Sequence, residues 1–143
     1  MFNLDSMQGT LANSDLMEKA FDLVNDGVLF LNTNQEITKM NKSAEILLNM
    51  TSHLAMGRSI TDLLTSSKAA HLIAVVRELT TKSHAMLLQT NLTVISGQTD
   101  SSIPKEQKVN INFYASKLVD SNKRTFAYCL VLQPILWILI FTF

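Results

Sequence analysis

Apolar residues near the N-terminus follow the period of a helix. They recur at intervals of three and four along one stretch: Leu16, Met17, Ala20, Phe21, Leu23 and Val24. Ser14 is a suitable N-cap, and Asn25-Asp26-Gly27 favours an end to the helix, because asparagine and glycine tolerate the backbone conformations of turns. Residues 1–13 are mostly polar and small, which predicts a flexible arm. The pattern therefore predicts an amphipathic helix that begins after this arm.

Strands are predicted on both sides of a helical block. Apolar runs or alternation indicate five of them, at residues 28–31, 36–40, 86–95, 109–114 and 125–132. The turn residues Thr33-Asn34-Gln35 join the first two strands into a hairpin, and Asp120-Ser121-Asn122-Lys123 precedes the last strand. Residues 96–107 are polar and contain Gly97 and Pro104, which predicts a loop.

The helical period returns between the second and third strands. Asn41 can accept a hydrogen bond from a backbone amide and so start a first helix. Gly57 permits a positive backbone angle before a short segment at residues 60–64. A longer helix follows, with Ser66 or Ser67 as its cap. Its apolar face consists of Ala69, Leu72, Ile73, Val76 and Leu79.

This order of elements predicts an α+β fold. We expect a five-stranded antiparallel sheet with the element order β-β-α-α-α-β-β-β, helices on one face and the N-terminal amphipathic helix in front. A chain of 143 residues has the size of one domain, and it needs neither disulfide nor metal to bury a core. We place this domain at residues 14–133.

The C-terminus is unusually apolar and raises the apolar fraction to 47%. Residues 126–143 approach the length of a membrane span, but residues 125–132 fit a strand and Pro134 interrupts the run. The remaining tail, residues 134–143, could cover a groove of the domain or insert weakly in a membrane. It could also be an interrupted end, where related chains continue into an effector, and we favour this interpretation.

Charge and cysteine content exclude several classes of partner. Twelve Lys and Arg balance twelve Asp and Glu, and no basic cluster is present, so direct binding to nucleic acid or to an anionic membrane surface is not expected. The single cysteine, Cys129, cannot form a disulfide within the chain. The first residues lack the pattern of a signal peptide, and we therefore expect a cytoplasmic protein.

Catalytic and metal-binding patterns are not found. The sequence contains no glycine-rich phosphate loop, no G-x-S-x-G motif and no HExxH pair. Its acidic residues fall on different predicted elements, as expected for a solvated surface. The three histidines, His53, His71 and His84, lack the spacing of a metal site. We predict that the protein is not an enzyme and binds no metal.

Four short motifs together resemble the PAS domain family of signalling proteins. In chain order they are Asp26-Gly27-Val28-Leu29-Phe30-Leu31-Asn32, then Asn41 with Ala44, Glu45, Leu47 and Leu48, then Met56-Gly57-Arg58-Ser59, and finally Asp62-Leu63-Leu64. The resemblance covers residues 16–133. The chain departs from the family at Asn49, often glycine, at Lys42, often proline, and in lacking the acidic D-I-T linker after the last strand.

The resemblance implies a sensory or protein-interaction module in signal transduction that regulates an effector domain or a partner signalling protein. It further implies a homodimer or a pair with another PAS domain, which we place at the N-terminal helix and the outer face of the sheet. The dimer residues would be Leu16, Met17, Ala20, Phe21 and Val24. A small ligand could occupy a pocket lined by Phe30, Met40, Ile60, Leu72, Ile73, Val76, Phe113 and Tyr128.

Two alternative functions are also compatible with the sequence. A haem-based gas or redox sensor would use His71, which lies close to the position of the axial histidine in haem-binding members of the family. A membrane-associated adaptor would use the apolar tail. Flavin-cysteine photochemistry is not expected, because the N-C-R-F-L-Q type of motif is absent and Cys129 lies in a predicted strand. No cofactor is required.

Overall fold

The computed structural model describes residues 15–66, 69–96 and 105–135. The predicted flexible arm, the proposed caps Ser14 and Ser67, and the tail from residue 136 onward lie outside these residues. The helices are α1 (residues 15–23), α2 (Lys42–Leu48), α3 (Ser52–Ala55), α4 (Ile60–Ser66) and α5 (His71–Glu78). The strands are β1 (Gly27–Leu31), β2 (Ile37–Met40), β3 (His84–Ser96), β4 (Lys105–Val119) and β5 (Thr125–Pro134).

The five strands form one antiparallel sheet in the order β2-β1-β5-β4-β3. The predicted α+β class, the strand count and the alternation of strand and helix blocks are confirmed. The helical block divides into four helices instead of three, because Thr51 caps a four-residue helix, α3, with a hydrogen bond from the Leu54 amide.

Helix α5 begins at His71, several residues after the predicted caps Ser66 and Ser67. Ser66 belongs to the end of α4, and the residue that precedes α5 is Ala70, which provides no side-chain cap. The buried face of α5 holds the helix in place, since Leu72, Ile73 and Val76 are all buried. Packing against the sheet thus replaces the missing cap.

Strand pairing extends beyond the predicted strands at several places, among them residues 84–85 of β3 and 115–119 of β4. Residues 105–107 pair with 94–96 although their sequence is polar and shows no alternation. Strand β5 continues through Pro134, and the Ile135 amide donates to the Asn110 carbonyl at 2.9 Å. The proline is tolerated because β1 pairs with β5 only as far as Leu132, so that Pro134 has a single neighbouring strand.

Alternation along the strands separates an inner from an outer face. Leu29 and Leu31 of β1, Ile111 and Phe113 of β4 and Leu130 of β5 are fully buried. They pack with α2 to α5 into one core, in which the predicted leucines of the family motifs take part: Leu47, Leu48, Leu63 and Leu64. The opposite face of the sheet carries no layer from these helices.

The outer edge of β2 is covered by the loop before α4. Gly57, at φ +79°, donates its amide to the Ile37 carbonyl at 2.8 Å, and the Ile37 amide donates to Arg58 at 2.9 Å. The Ile60 amide donates to Gln35 at 2.9 Å. The predicted positive backbone angle at Gly57 is confirmed, and its role is to turn the chain back along an edge that would otherwise be open.

Candidate functional site

The interior between the sheet and the helices is apolar. Among the pocket residues predicted from sequence, Ile60, Leu72 and Phe113 are fully buried. Met40, Ile73 and Val76 are buried beside them, and Tyr128 packs half-buried against the same core. The structure thus brings seven of the eight predicted residues to the inner side of the sheet. A ligand held there would be apolar, because these walls offer it almost no polar groups.

Phe30 requires a correction, because it lies on the outer face. In β1 the buried residues alternate with half-buried ones, so that Leu29 and Leu31 point to the core and Phe30 points away from it. Its ring contacts Phe21 of α1, with ring centroids 5.9 Å apart and planes inclined by 35°. Phe30 therefore belongs to the docking surface of α1 and does not line the interior.

His71 stands at the first position of α5 and is exposed, while the next residues, Leu72 and Ile73, face the core. Because it faces solvent, His71, the predicted ligand of the haem alternative, does not lie among the buried residues of the predicted pocket. His53 and His84 are exposed as well. Within the described ranges, no three His, Cys, Asp or Glu residues gather in a way that could hold a metal ion.

Helix α1 is attached to the outer face of the sheet by a small set of contacts. Beyond the Phe21–Phe30 contact, the Lys39 ammonium lies 5.0 Å from the centre of the Phe21 ring and 3.7 Å from a Glu18 carboxylate oxygen. Lys39 is the β2 residue paired with Phe30, which explains why it meets the same aromatic ring. A groove of about 710 Å³ runs along this side of α1, lined by Met17, Phe21, Phe30, Lys39, Asp15 and Glu18.

Most of the apolar face of α1 remains exposed. Leu16 is 66% exposed, Met17 73% and Leu23 80%. Val24 and Ala20 are also exposed, whereas Phe21 is half-buried through its contact with Phe30. Of the five residues predicted for a dimer interface, four are thus open to solvent in the single chain and one is used to dock the helix.

The outer face of the sheet next to α1 is also apolar. Cross-strand pairing places Phe30 beside Cys129, and Val28 and Tyr114 on either side of Val131. All five side chains are half-buried, and none is counted in the core. Together with the exposed residues of α1 they form an apolar surface that none of the other described helices covers, and we call this surface the α1 face.

The junction between α1 and the sheet is held by one buried amide, that of Asn41. Its Nδ2 donates to the carbonyl oxygens of Phe21 at 3.0 Å and of Asp26 at 2.9 Å. Its Oδ1 accepts from the backbone amides of Val28 at 2.9 Å and of Ala44 at 3.0 Å. The bond from Ala44 confirms the predicted N-cap role, and all donors and acceptors of this side chain are used.

Two further hydrogen bonds cross the same junction. The Ser43 hydroxyl donates to the Val24 carbonyl at 2.6 Å, and a carboxylate oxygen of Asp22 accepts from the Lys42 amide at 3.3 Å. Neither bond could be predicted from the sequence, because the partners are about 20 positions apart and form no local pattern. Asn41 could be found from the sequence only in its role as a helix cap.

Cys129 faces the α1 side of the sheet as a free thiol, and burial raises its pKa. We predict slow alkylation, since the thiolate is the reactive species and a raised pKa leaves less of it at neutral pH. At pH 7.5 and equal iodoacetamide concentration, Cys129 should react more slowly in the folded protein than in urea. Equal rates in both states would contradict the prediction.

The sheet order, the helices over one face and the N-terminal helix define a small α+β module of the PAS type. The PAS fold family model matches residues 15–135, which is most of the chain. The chain therefore belongs to the PAS family. Domains of this family are sensory modules of signalling proteins such as histidine kinases, and the fold is a sensory or interaction fold.

Solved structures of low sequence identity share the fold. A PAS domain of a protein from Colwellia psychrerythraea is 16% identical, with a TM-score of 0.60, and the match covers 85% of this chain and 95% of that one. A sensory box sensor histidine kinase from Vibrio cholerae is 18% identical, with a TM-score of 0.54 and coverage of 90% and 97%.

The DhaR(N)–DhaL complex of Escherichia coli contains a third similar chain. It is 18% identical, with a TM-score of 0.57, and the match covers 92% of this chain and 38% of that one. No curated protein sequence matches significantly. In the part of the chain that the structure describes, no helix combines the length and apolar character needed to cross a bilayer.

Proposed function

We propose that this PAS domain is a sensory and protein-interaction module that regulates an effector or partner protein in signal transduction. It acts as a homodimer, or paired with another PAS domain, through the α1 face. The observation that carries this proposal is the exposure of Leu16, Met17 and Leu23 on a helix that is itself fixed to the sheet. Exposed apolar residues on a positioned helix favour association with a second protein surface.

The proposed partner is a signalling protein. One similar structure is a sensor histidine kinase, and another is a complex between two proteins. The domain carries no catalytic constellation among its described residues, so its effect on an effector would come from binding. The proposed compartment is the cytoplasm, where a free thiol such as Cys129 persists in reduced form.

The proposed ligand, where one acts, is small and uncharged. The side chains that would surround it include Ile60, Leu72 and Phe113, which are fully buried and apolar. Binding would change the packing of the helices on the inner face of the sheet and so favour one arrangement of the domain over another.

Sedimentation velocity over a range of concentrations tests the pairing. Met17→Glu places a charge on the α1 face, and we expect it to weaken self-association about tenfold or more. Met17 makes no contact that holds the core, so the variant should remain folded by circular dichroism. An unchanged dissociation constant in Met17→Glu would contradict pairing through the α1 face, and a wild-type domain that stays monomeric at high concentration would contradict the homodimer.

Leu54→Glu is the matched control. Leu54 is 64% exposed on α3, compared with 73% for Met17 on α1, and it is not one of the residues that form the α1 face. The same charge added there should leave the dissociation constant unchanged. If both variants weaken association equally, the effect is one of net charge and not of the α1 face.

A further inference from the structure

The end of α1 and the start of α2 satisfy each other's open backbone groups. The last carbonyls of a helix and its first amides have no partner within the helix. Here the carbonyls of Phe21 and Val24 accept from Asn41 and Ser43, which stand at the start of α2. In return, Asp22 of α1 accepts from the Lys42 amide at the start of α2. The junction is therefore a reciprocal cap between two helices on opposite sides of the sheet.

Asn41 makes this junction cooperative. The same Oδ1 that caps α2 also accepts from the Val28 amide of β1, and the same Nδ2 holds α1 and the turn at Asp26. Asn41 is completely buried, with 0% of its surface exposed to solvent. If α1 moves away, Nδ2 loses a partner in a buried position, which costs free energy. If α2 moves, the amide moves with it and withdraws from α1.

Gly27 places α2 directly against the start of β1. A Cβ atom at this position would lie 3.1 Å from the Ala44 Cα and 3.1 Å from the Leu47 Cδ1. Ala44 and Leu47 are buried residues of α2 that reach the core. Because α2 packs this closely against β1, a displacement of α2 that begins in the core also moves the Asn41 side chain.

We propose that Asn41 couples the docking of α1 to the position of α2, so that displacement of α2 on the inner side of the sheet releases α1 on the outer side. Asn41 is a positioning residue in this account, since it touches no ligand. The inference deepens the proposed function, because α1 is the helix through which two copies would pair. The coupling itself is a property of the single chain and is measured separately from the pairing.

The first test perturbs α1 alone. Phe21→Ala removes the ring contact with Phe30 but leaves the backbone carbonyl to which Asn41 donates. Amide hydrogen exchange, followed by NMR, should become about tenfold faster at Val28 and Ala44, whose amides donate to Asn41, than in the wild-type protein. Amides of the distant β3–β4 pair should keep their rates. The control is Phe126→Ala, which removes a phenylalanine that is 57% exposed on β5.

The second test separates the two halves of the Asn41 amide. Asn41→Asp keeps oxygen acceptors for Val28 and Ala44, and aspartate caps helices as well as asparagine does. It removes the donor to Phe21 and Asp26 and places negative charge beside their carbonyls. We expect loss of the nuclear Overhauser contacts between the Phe21 and Phe30 rings while α2 remains helical. Asn122→Asp adds the same charge in an exposed turn and should leave these contacts intact.

The third test starts from α2. Gly27→Ala forces the backbone of α2 outward by a few tenths of an ångström, without touching α1. By reciprocity it should weaken the Phe21–Phe30 ring contacts and raise the mobility of α1 on the nanosecond timescale. This variant and Phe21→Ala both retain Asn41, so they still test the coupling if Asn41→Asp does not fold.

The coupling is overturned if Phe21→Ala frees α1 while Val28 and Ala44 keep their exchange rates, or if the ring contacts persist in Gly27→Ala or in a folded Asn41→Asp. All three measurements are made at concentrations where sedimentation shows a monomer. A domain that never dimerises but shows the coupling would refute the proposed pairing alone. A domain that dimerises through α1 without the coupling would refute this inference alone.

Discussion

Replacing Asn41 with alanine is expected to lower the free energy of unfolding by about 3 kcal/mol. The substitution removes four hydrogen bonds at once, two accepted by Oδ1 and two donated by Nδ2. It leaves the carbonyls of Phe21 and Asp26 and the amides of Val28 and Ala44 without their partner. Buried backbone groups of this kind carry most of the cost, since the side chain itself is small. Urea unfolding followed by circular dichroism measures the change, which should appear as a lower midpoint with an unchanged slope.

Asn122→Ala is the control for this substitution. Asn122 is exposed in the turn between β4 and β5, where the Asp120 carboxylate accepts from the backbone amides of Asn122 and Arg124. Removal of its side chain should change stability by less than about 0.5 kcal/mol. If Asn41→Ala costs no more than Asn122→Ala, the four-way hydrogen bonding at Asn41 does not support the fold.

Truncation of Phe113, the largest fully buried side chain, should lower the free energy of unfolding as much as Asn41→Ala or more. Phe113→Ala is expected to lower the free energy of unfolding by about 4 kcal/mol, because it removes the ring from the middle of the core and leaves a cavity. Phe113 lies at the centre of β4, between Leu87 of β3 and Leu132 of β5, so that the inner side of three strands loses packing. The midpoint of urea or thermal unfolding measures the loss.

Phe126→Ala provides the comparison within the same sheet. Phe126 is 57% exposed near the start of β5, and its truncation should cost less than about 1 kcal/mol. Phe113→Leu, which retains much of the volume, should fall between the two alanine variants. A similar loss in Phe113→Ala and Phe126→Ala would mean that the described core does not carry the stability of the domain.

The order of strands and helices could be predicted from the sequence because the hydrophobic period changes at each boundary. The N-cap at Asn41 and the turn at Gly57 were predicted for the same reason, since each depends on residues close in the chain. The start of α5 could not be predicted in this way. Ser66 is a suitable N-cap by residue type, but it is the last residue of α4. Burial of one face decides where that helix begins, and local propensity does not.

The two faces of β1 could not be distinguished in the same way. Residues 28–31 are all apolar, so alternation is absent from the sequence and Phe30 resembles a core residue. The structure turns Phe30 outward because a second apolar element, α1, covers it there through Phe21. The links from Asn41 to Phe21 and from Ser43 to Val24 escaped prediction because they join distant positions, and the pairing of distant positions is set by the fold.

The central claim is that two copies of this PAS domain pair through α1. The most direct measurement is the distance between spin labels on α1 in the dimer, with Lys19→Cys as the label site and Cys129→Ser to leave a single thiol. Lys19 is exposed on the helix, and its ammonium lies 3.5 Å from a carboxylate oxygen of Asp15. Two helices packed side by side have axes 8–10 Å apart, so pulsed dipolar spectroscopy should give a distance within about 30 Å. A stable dimer whose labels lie well beyond that distance would contradict the claim.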